Sequence, residues 1–210
     1  MRSLVGNRLP KFSDEESRVV KGSIDFLGVN YYSARFAEDA ITHSSSFEFS
    51  YSTDNHVNLT TEKDGIPIGE PTEIKWLYIY PVGIEELALY IKRKYKNPPM
   101  YITENGIVDS NSSSLLKDAL NDSLRIKYHH NHLSYLLNAI EAGADVRGYY
   151  AWSFLDNFEW EYGYTIRFGI TYIDYKNKLQ RYLKKSALWF KEFLQEDYVI
   201  TRNPSLVSSV

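Results

Sequence analysis

The chain has 210 residues, of which 43% are hydrophobic and 24% are charged, and its formal net charge at pH 7 is −3. This length and composition are ordinary for a globular protein of one domain, or at most two. Basic and acidic residues are mixed along the chain, which argues against a nucleic-acid-binding face and against a polybasic membrane-binding segment. The chain contains no cysteine, so disulfides and thiolate metal sites are excluded.

Hydrophobic periodicity and turn residues predict alternating strands and helices, without internal repeats. Strands are predicted in chain order over residues 23–30, 99–103, 146–152 and 170–174, the first of them as a buried strand. Helices are predicted over residues 81–96, 121–142 and 182–195. Residues 33–80 are polar and rich in Ser and Thr, and we expect so long a connection to be either a functional loop or disordered.

Strands that alternate with helices predict βαβ units and a parallel sheet. Polar or aromatic residues follow each strand: Asn30-Tyr31-Tyr32 the first, Glu104 the second and Trp152 the third. In a (β/α) barrel this edge of the sheet is the catalytic face. A closed barrel of eight strands needs about 250 residues, so we predict one partial barrel domain over residues 1–210, with a long active-site loop at 33–80 and a flexible tail at 196–210.

The amino-terminal residues 1–11 mix charge with Gly and Pro and contain no apolar segment. No signal peptide and no membrane span are predicted, so the chain as written is expected to stay in the cytosol. Three Asn-x-Ser/Thr sequons begin at Asn58, Asn111 and Asn121, and glycans on them are conditional on secretion.

Aromatic residues are unusually frequent, at 15%, with 18 Tyr and 4 Trp. Flat amphipathic rings suit surfaces that stack on sugars, although Tyr-rich cores also exist. Glu104 ends a predicted strand beside the Asn105-Gly106 turn, where a rigid strand could aim its carboxylate at a sugar's anomeric carbon. A lone Glu in this position is more often a solvated turn residue, so the interpretation depends on its context.

Three motifs supply that context. Tyr101-Ile-Thr-Glu-Asn-Gly106 resembles the nucleophile motif of glycoside hydrolase family 1, and Phe26-Leu-Gly-Val-Asn-Tyr-Tyr32 resembles the family's strand-six motif. Trp152-Ser-Phe-Leu-Asp-Asn-Phe-Glu-Trp160, with the residues that follow it to 169, resembles the strand-eight sugar-binding segment. The resemblance extends over about residues 4–194, and residues 65–69 and 76–81 are most similar to the plant branch.

The resemblance implies the C-terminal part, about strands six to eight, of the TIM (β/α)8 barrel of a retaining β-glucosidase. It implies that Glu104 is the nucleophile and that Tyr32 orients it. The implied substrate-binding residues are Asn30 near the sugar 2-hydroxyl, Glu159 at the outer hydroxyls, Trp152 and Trp160 as stacking platform and polar edge, Phe168 as pocket wall and Trp76 on the aglycone side. Packing in the core remains an alternative for Trp152, Phe168 and Trp76.

The family's acid/base residue lies in a Thr-(Phe/Leu)-Asn-Glu-Pro motif on strand four, which this chain lacks. Glu70-Pro71 matches it only in part and falls within the 33–80 connection. Loss of general acid–base assistance costs about 10²–10⁴-fold in rate, so the chain alone is predicted to be inactive or strongly impaired. No cofactor and no metal are implied; His129, His130 and His132 are interpreted as a solvated or packed helix face.

Three hypotheses remain open. The chain is a truncated piece of an enzyme that cleaves β-glucosides of unspecified aglycone when completed by its missing half. Alternatively, it is a short isoform that binds and regulates the full-length β-glucosidase, or self-associates, or it is an inert product of a damaged gene. Residues 2–11 resemble an internal stretch of the family, which fits truncation; full-length relatives are often secreted, plastidial or vacuolar.

Overall fold

The computed structural model describes residues 2–40, 50–110 and 115–195. These residues fall into two units, one made of Met1–Asp25 with Arg35–Ile68 and the other of Phe26–Ala34 with Gly69–Val210. The sequon at Asn111 and the tail 196–210 lie outside the described residues. The sequon residue Asn121 is exposed, and its Oδ1 accepts a hydrogen bond from Ser123 Oγ at 3.1 Å.

The helices are α1 (Arg2–Val5), α2 (Asp14–Val20), α3 (Val82–Lys94), α4 (Leu116–Leu120), α5 (Ser123–Glu141) and α6 (Lys185–Phe193), with 3₁₀ turns at Gly6–Arg8 and Trp160–Tyr162. The strands are β1 (Leu27–Asn30), β2 (Phe36–Asp39), β3 (Val57–Thr60), β4 (Glu62–Lys63), β5 (Ile66–Pro67), β6 (Glu70–Pro71), β7 (Tyr78–Ile79), β8 (Met100–Asn105), β9 (Asp109–Ser110), β10 (Val146–Ala151), β11 (Ile166–Arg167), β12 (Thr171–Asp174) and β13 (Gln180–Leu183). No helix in this part of the chain has the length and hydropathy needed to span a membrane.

The first unit contains α1, α2 and two antiparallel strand pairs, β2 with β3 and β4 with β5. A capping box starts α2: the Glu16 N–H donates to Ser13 Oγ at 3.2 Å, and the Ser13 N–H donates to Glu16 Oε2 at 2.8 Å. The sequon residue Asn58 lies on β3, exposed, and its amide donates to Glu38 Oε1. Neither α2 nor these short pairs are predicted from the periodicity of the sequence.

The second unit is built on a parallel sheet in the order β1–β8–β10, joined by α3 and α5. The predicted βαβ alternation is therefore confirmed, and three strands leave the barrel open. Within the described residues β1 and β10 each pair on one side only. Shorter antiparallel pairs, β6 with β7, β9 with β11 and β12 with β13, complete the unit.

One face of this sheet packs on α3 and α5. Met100 and Ile102 of β8 are at most 2% exposed; Met100 packs with Ile91, and Ile102 packs with Ile84 and Leu136. Burial of such side chains stabilises the folded state by about 25 cal/mol for each Å² of apolar surface removed from water. These contacts fix the helices on the sheet.

The other face of the sheet is open in the described residues. Phe26 and Tyr150 remain 54% and 58% exposed, and with Tyr101 and Thr103 they line a groove of about 370 Å³. The prediction of a buried first strand is therefore wrong: burial alternates along β1, because the helices cover only one side of it. Exposed apolar patches of this kind usually mark an interaction surface.

The helix predicted over residues 182–195 begins only at Lys185. The residues before it form β13, in which Leu183 pairs with Thr171 of β12. Lys184 is extended, and its N–H donates to the Ile170 carbonyl at 3.0 Å. Strand pairing therefore outweighs helical periodicity at this point. The 33–80 connection likewise contains strands β2 to β7, whose two to four residues are too short to show a period.

We expect Ile102→Ala to lower the free energy of unfolding by about 2–5 kcal/mol, because it removes buried atoms from the helix-packed face. The matched control is Tyr150→Ala on the open face of the neighbouring strand, expected to cost less than about 0.5 kcal/mol. Urea unfolding followed by circular dichroism measures both. Equal losses would contradict the assignment of one packed and one open face.

Candidate active site

The carboxyl ends of the three parallel strands meet at one edge of the sheet. Asn30 of β1 pairs with Glu104 of β8, and Ala151 of β10 pairs with Asn105. The backbone ladder continues past the strands, since the Tyr31 N–H donates to the Glu104 carbonyl at 2.9 Å. Side chains that follow separate strands in the sequence are therefore held within reach of Glu104.

Tyr32 and Glu104 form the central contact of the site. The Tyr32 hydroxyl donates to Glu104 Oε2 at 2.6 Å, a short charge-assisted hydrogen bond. The Tyr32 ring meets the rings of Trp76 and Phe168 edge to face, with centroids 5.9 and 6.0 Å away. Burial, and then the hydrogen bond to Glu104, raises the pKa of Tyr32 well above its ordinary value, so the phenol keeps its proton and remains a donor.

Glu159 supplies a second carboxyl group. It is buried, and the Trp152 indole Nε1–H donates to its Oε1 at 3.3 Å. Its backbone holds the following 3₁₀ turn, because the Glu159 N–H donates to the Gly163 carbonyl at 2.7 Å. Burial raises the pKa of Glu159, against the opposing effect of the hydrogen bonds from Trp152 and Asn157.

Seven of the eight predicted site residues line one cavity of about 280 Å³: Tyr32, Trp76, Glu104, Trp152, Glu159, Trp160 and Phe168. The eighth, Asn30, is not among the lining residues; it lies at the strand edge, where its Oδ1 accepts from Thr103 Oγ1 at 2.7 Å. Glu161, Tyr162 and Ile166 also line the cavity and were not predicted. Their only sequence signal is their position inside the aromatic segment after β10.

Asp156 anchors the segment that carries Glu159 by hydrogen bonds to the residues that pack against it. This buried carboxylate accepts hydrogen bonds from Arg167 Nη1 at 2.5 Å and Lys184 Nζ at 3.4 Å. It also accepts the backbone N–H groups of Gly169 and Ile173, at 3.0 and 3.2 Å. Asp156 therefore has a structural hydrogen-bonding role, and Asn157 shares it by donating to Ser153 Oγ and the Leu155 carbonyl.

The same ionic network reaches α5. Buried Arg125 contacts Asp109 and Asp122, each at 2.5 Å, and Lys184 Nζ contacts Asp109 at 2.9 Å. Burial acts to lower the pKa of Arg125, but the two carboxylates outweigh it and the pKa is raised. Burial, and then the Arg125 charge, lowers the pKa of Lys184. The network contains three carboxylates and three cations, so buried charge is balanced.

The three histidines of α5 are buried rather than solvated. His132 Nδ1–H donates to the Tyr128 carbonyl at 2.8 Å, and His129 Nδ1 is 2.7 Å from the Tyr149 hydroxyl. In the described ranges no three His, Cys, Asp or Glu side chains are grouped so as to hold a metal. Burial lowers the pKa of His129 well below its ordinary value and that of His132 to about 4.

A parallel sheet whose strand ends carry an aromatic cavity with carboxyl groups is the arrangement of the (β/α)-barrel enzymes. The family model described as Glycosyl hydrolase family 1 matches residues 1–198, so the chain belongs to this family. Its fold is the corresponding part of the TIM barrel, as the sequence motifs imply.

Plant β-glucosidases are among the similar proteins. Beta-glucosidase 17 of Arabidopsis thaliana is 53% identical over 195 residues, covering 92% of this chain and 38% of that protein. Raucaffricine-O-beta-D-glucosidase of Rauvolfia serpentina is 45% identical and covers all of this chain and 39% of that protein. The crystal structure of the rice Os3BGlu6 beta-glucosidase superposes with a TM-score of 0.85 at 46% identity, covering 92% of this chain and 41% of that one. The chain therefore spans about two fifths of the length of these relatives.

We expect Asp156→Asn to lower the free energy of unfolding by about 3–5 kcal/mol, because it removes the buried carboxylate that pairs with Arg167 and Lys184. Asp145→Asn is the matched control: it removes a carboxylate from the solvent-exposed pair with Arg147 and should cost about 0–1 kcal/mol. Chemical unfolding at pH 7 compares the two variants. A loss for Asp156→Asn no larger than the control loss would contradict the role of Asp156.

We expect the free energy of unfolding to fall as the pH is lowered from about 7.5 toward 4. The folded state keeps His129 and His132 neutral, whereas the unfolded chain protonates them in this window. Between pH 7.5 and pH 5 each histidine contributes a loss of about 2 kcal/mol. His132→Gln should reduce this loss in unfolding curves at pH 7.5 and pH 5; an unchanged difference would sink the assignment.

Proposed function

We propose that this chain carries the nucleophile half of a retaining β-glucosidase site. The observation that best supports this proposal is the 2.6 Å hydrogen bond from Tyr32 to Glu104, within a cavity lined by aromatic rings and a second carboxyl group. Glu104 attacks the anomeric carbon of a β-glucoside: a bond forms between its carboxylate oxygen and that carbon while the bond to the leaving oxygen breaks. One mutant structure of rice Os3BGlu6 is described as a covalent complex with Glc, which supports this reaction class.

Tyr32 is the group that aims the nucleophile in this proposal. Its raised pKa keeps it protonated at every pH at which the enzyme would work, so it stays a donor to Glu104 Oε2. The hydrogen bond fixes the carboxylate plane and leaves Oε1 for the attack on the sugar. A carboxylate held in this way lowers the entropic part of the activation free energy, because its orientation is already fixed before the reaction begins.

The walls of the cavity suit a sugar ring. The aromatic rings of Trp152 and Phe168 line the cavity and supply apolar contact for a sugar ring, and the buried Glu159 carboxyl can accept hydrogen bonds from outer hydroxyls. Trp160, at 84% exposed, and Trp76, at 38%, lie toward solvent, where the rest of a glucoside would extend. Asn30 is proposed near the 2-hydroxyl from its place beside Glu104 in the sheet.

The proposal assigns no acid/base residue within this chain. A retaining glycosidase needs two carboxyl groups about 5–5.5 Å apart, one of which protonates the leaving oxygen. Glu159 has a raised pKa, but it falls in the sugar-binding segment of the family and is assigned to hydroxyl binding. The proton donor is therefore supplied from outside these 210 residues, and the chain alone is proposed to be inactive or strongly impaired.

The test separates bond formation at Glu104 from acid catalysis. We expect 2,4-dinitrophenyl 2-deoxy-2-fluoro-β-glucoside to label Glu104, because dinitrophenolate leaves without protonation and the fluorine slows hydrolysis of the glycosyl-enzyme. Intact-mass and peptide mass spectrometry would show one fluoroglucosyl group on Glu104. An unactivated alkyl β-glucoside should be turned over about 10²–10⁴-fold more slowly than by a full-length relative.

Glu104→Gln is the control variant, since its amide cannot form the glycosyl ester, and it should remain unlabelled. Addition of the preceding portion of rice Os3BGlu6 should accelerate both labelling and turnover. Turnover of the alkyl glucoside by the isolated chain at the rate of full-length relatives would contradict the proposal. If Glu159→Gln then abolished that turnover, Glu159 would be the proton donor.

The open sheet face favours a second candidate function, in which the chain binds a full-length β-glucosidase and alters its activity. Phe26 and Tyr150 on that face are apolar and more than half exposed, and β1 has no partner strand on its outer side within the described residues. Size-exclusion chromatography with light scattering, on the chain alone and mixed with rice Os3BGlu6, distinguishes self-association from a mixed complex. Elution as separate species, with an unchanged glucosidase rate, would exclude this function.

A further inference from the structure

Asn105, the residue after the proposed nucleophile, places its side-chain amide in the interior beneath the site. The residue is fully buried, and Nδ2 donates to the Tyr31 carbonyl at 2.7 Å and to the Tyr128 hydroxyl at 3.0 Å. Oδ1 accepts from the Tyr149 hydroxyl at 2.6 Å. The Tyr128 hydroxyl in turn donates to the Tyr32 carbonyl at 3.1 Å. The Asn105 side chain therefore binds the backbone at Tyr31 directly and the backbone at Tyr32 through the Tyr128 hydroxyl.

The chemistry of these partners fixes the direction of every hydrogen bond. A backbone carbonyl can only accept, so Nδ2 of Asn105 must face Tyr31 and the Tyr128 proton must point at the Tyr32 carbonyl. Tyr149 then gives its single proton to Oδ1. Because Tyr149 is already a donor, His129 Nδ1 must donate to the Tyr149 hydroxyl at 2.7 Å. Each group therefore donates to the next in the order His129, Tyr149, Asn105, Tyr128 and the Tyr32 carbonyl.

The backbone around Asn105 explains why its displacement would alter the positions of Tyr32 and Glu104. Asn105 shares a peptide unit with Glu104, and the Tyr31 N–H is bonded to the Glu104 carbonyl at 2.9 Å. The carbonyls of Tyr31 and Tyr32, which lie on either side of the Tyr32 Cα, are the two acceptors at the end of the network. Release of the amide would free the backbone of Tyr32 relative to Glu104 without removing any atom that contacts a sugar.

We infer that Asn105 is a positioning residue, which sets the Tyr32–Glu104 hydrogen bond through the carbonyls of Tyr31 and Tyr32, and that Tyr149 and His129 orient its amide. The inference rests on the proposed function for its role in catalysis. The geometry itself can be tested on the 210-residue chain without any hydrolysis.

The experiment follows the Tyr32 phenol by NMR in a chain labelled with ¹³C at tyrosine Cζ, with Tyr32→Phe used to assign the signal. In the unsubstituted chain burial and the Glu104 hydrogen bond raise the pKa of Tyr32, so its signal should remain that of the neutral phenol beyond the pH at which an ordinary tyrosine ionises. In Asn105→Ala the hydrogen bond is misaligned, and the Tyr32 pKa should fall by about one pH unit or more. In Tyr149→Phe, which keeps the amide but loses the hydroxyl that orients it, the fall should be smaller.

Asn97→Ala is the matched control. Asn97 bonds the Gly143 carbonyl and the Asp145 N–H, each at 3.0 Å, at the opposite end of β8, and its loss should leave Tyr32 unchanged. In a Glu104→Gln background Asn105→Ala should have little further effect, because the carboxylate that Tyr32 bonds is already gone.

A folded Asn105→Ala chain with unaltered Tyr32 titration would overturn the inference, as would an equal change in Asn97→Ala. If Asn105→Ala fails to fold, Tyr149→Phe decides: an unaltered titration there also overturns it. Failure of Glu104 to react with the fluoroglucoside, with the Tyr32 result as expected, would sink the proposed function and leave the positioning geometry intact.

Discussion

Parallel pairing of β8 with β1 on one side and β10 on the other is the constraint on which the site depends. Parallel strands bring their carboxyl ends to one edge, so residues 72 positions apart in the chain, Tyr32 and Glu104, lie within hydrogen-bond distance. The register matters as much as the direction. Strict alternation along β8 would place Glu104 on the same face as Met100 and Ile102, which are buried against the helices. The pairing with β1 is irregular between Val29 and Asn30, whose partners are Ile102 and Glu104, and this irregularity is where Glu104 leaves the helix-packed face.

Alternation at the end of β8 gives two neighbouring residues different tasks. Glu104 faces the cavity, whereas Asn105 faces the interior and donates to the Tyr31 carbonyl just after β1. Gly106 completes the arrangement, since a Cβ there would collide with the Trp152 carbonyl oxygen. The absence of a side chain lets β8 leave the sheet directly beside the segment that carries Trp152. Catalytic geometry and close backbone packing thus arise from three consecutive residues.

The parts that sequence analysis predicted are those with long periods or distinctive motifs. Helices α3 and α5 and strands β8 and β10 agree with their predicted spans to within about two residues at each end, and α3, α5 and β8 each bury a repeated apolar row. Seven cavity residues were found by resemblance, since each belongs to a recognisable segment. Tyr182 and Leu183 were predicted to be helical, but they belong to β13, because they pair with Tyr172 and Thr171 of β12. The ionic network was not found either: Asp109, Arg125 and Lys184 are far apart in sequence and meet only in the fold.

The charge of the cavity agrees with a neutral sugar as its ligand. Three of the lining residues are acidic, Glu104, Glu159 and Glu161, and none of the described lining residues is Lys or Arg. Carboxylates repel an anionic ligand but accept hydrogen bonds from hydroxyl groups, while the surrounding rings supply apolar contact. They also favour the positive charge that develops at the anomeric carbon in an oxocarbenium-like transition state. The basic groups are kept apart from this surface, because Arg125, Arg167 and Lys184 are each bonded to a carboxylate below it. The same network that holds the segment carrying Glu159 therefore also leaves the cavity negative, which suits the glycoside cleavage proposed at Glu104.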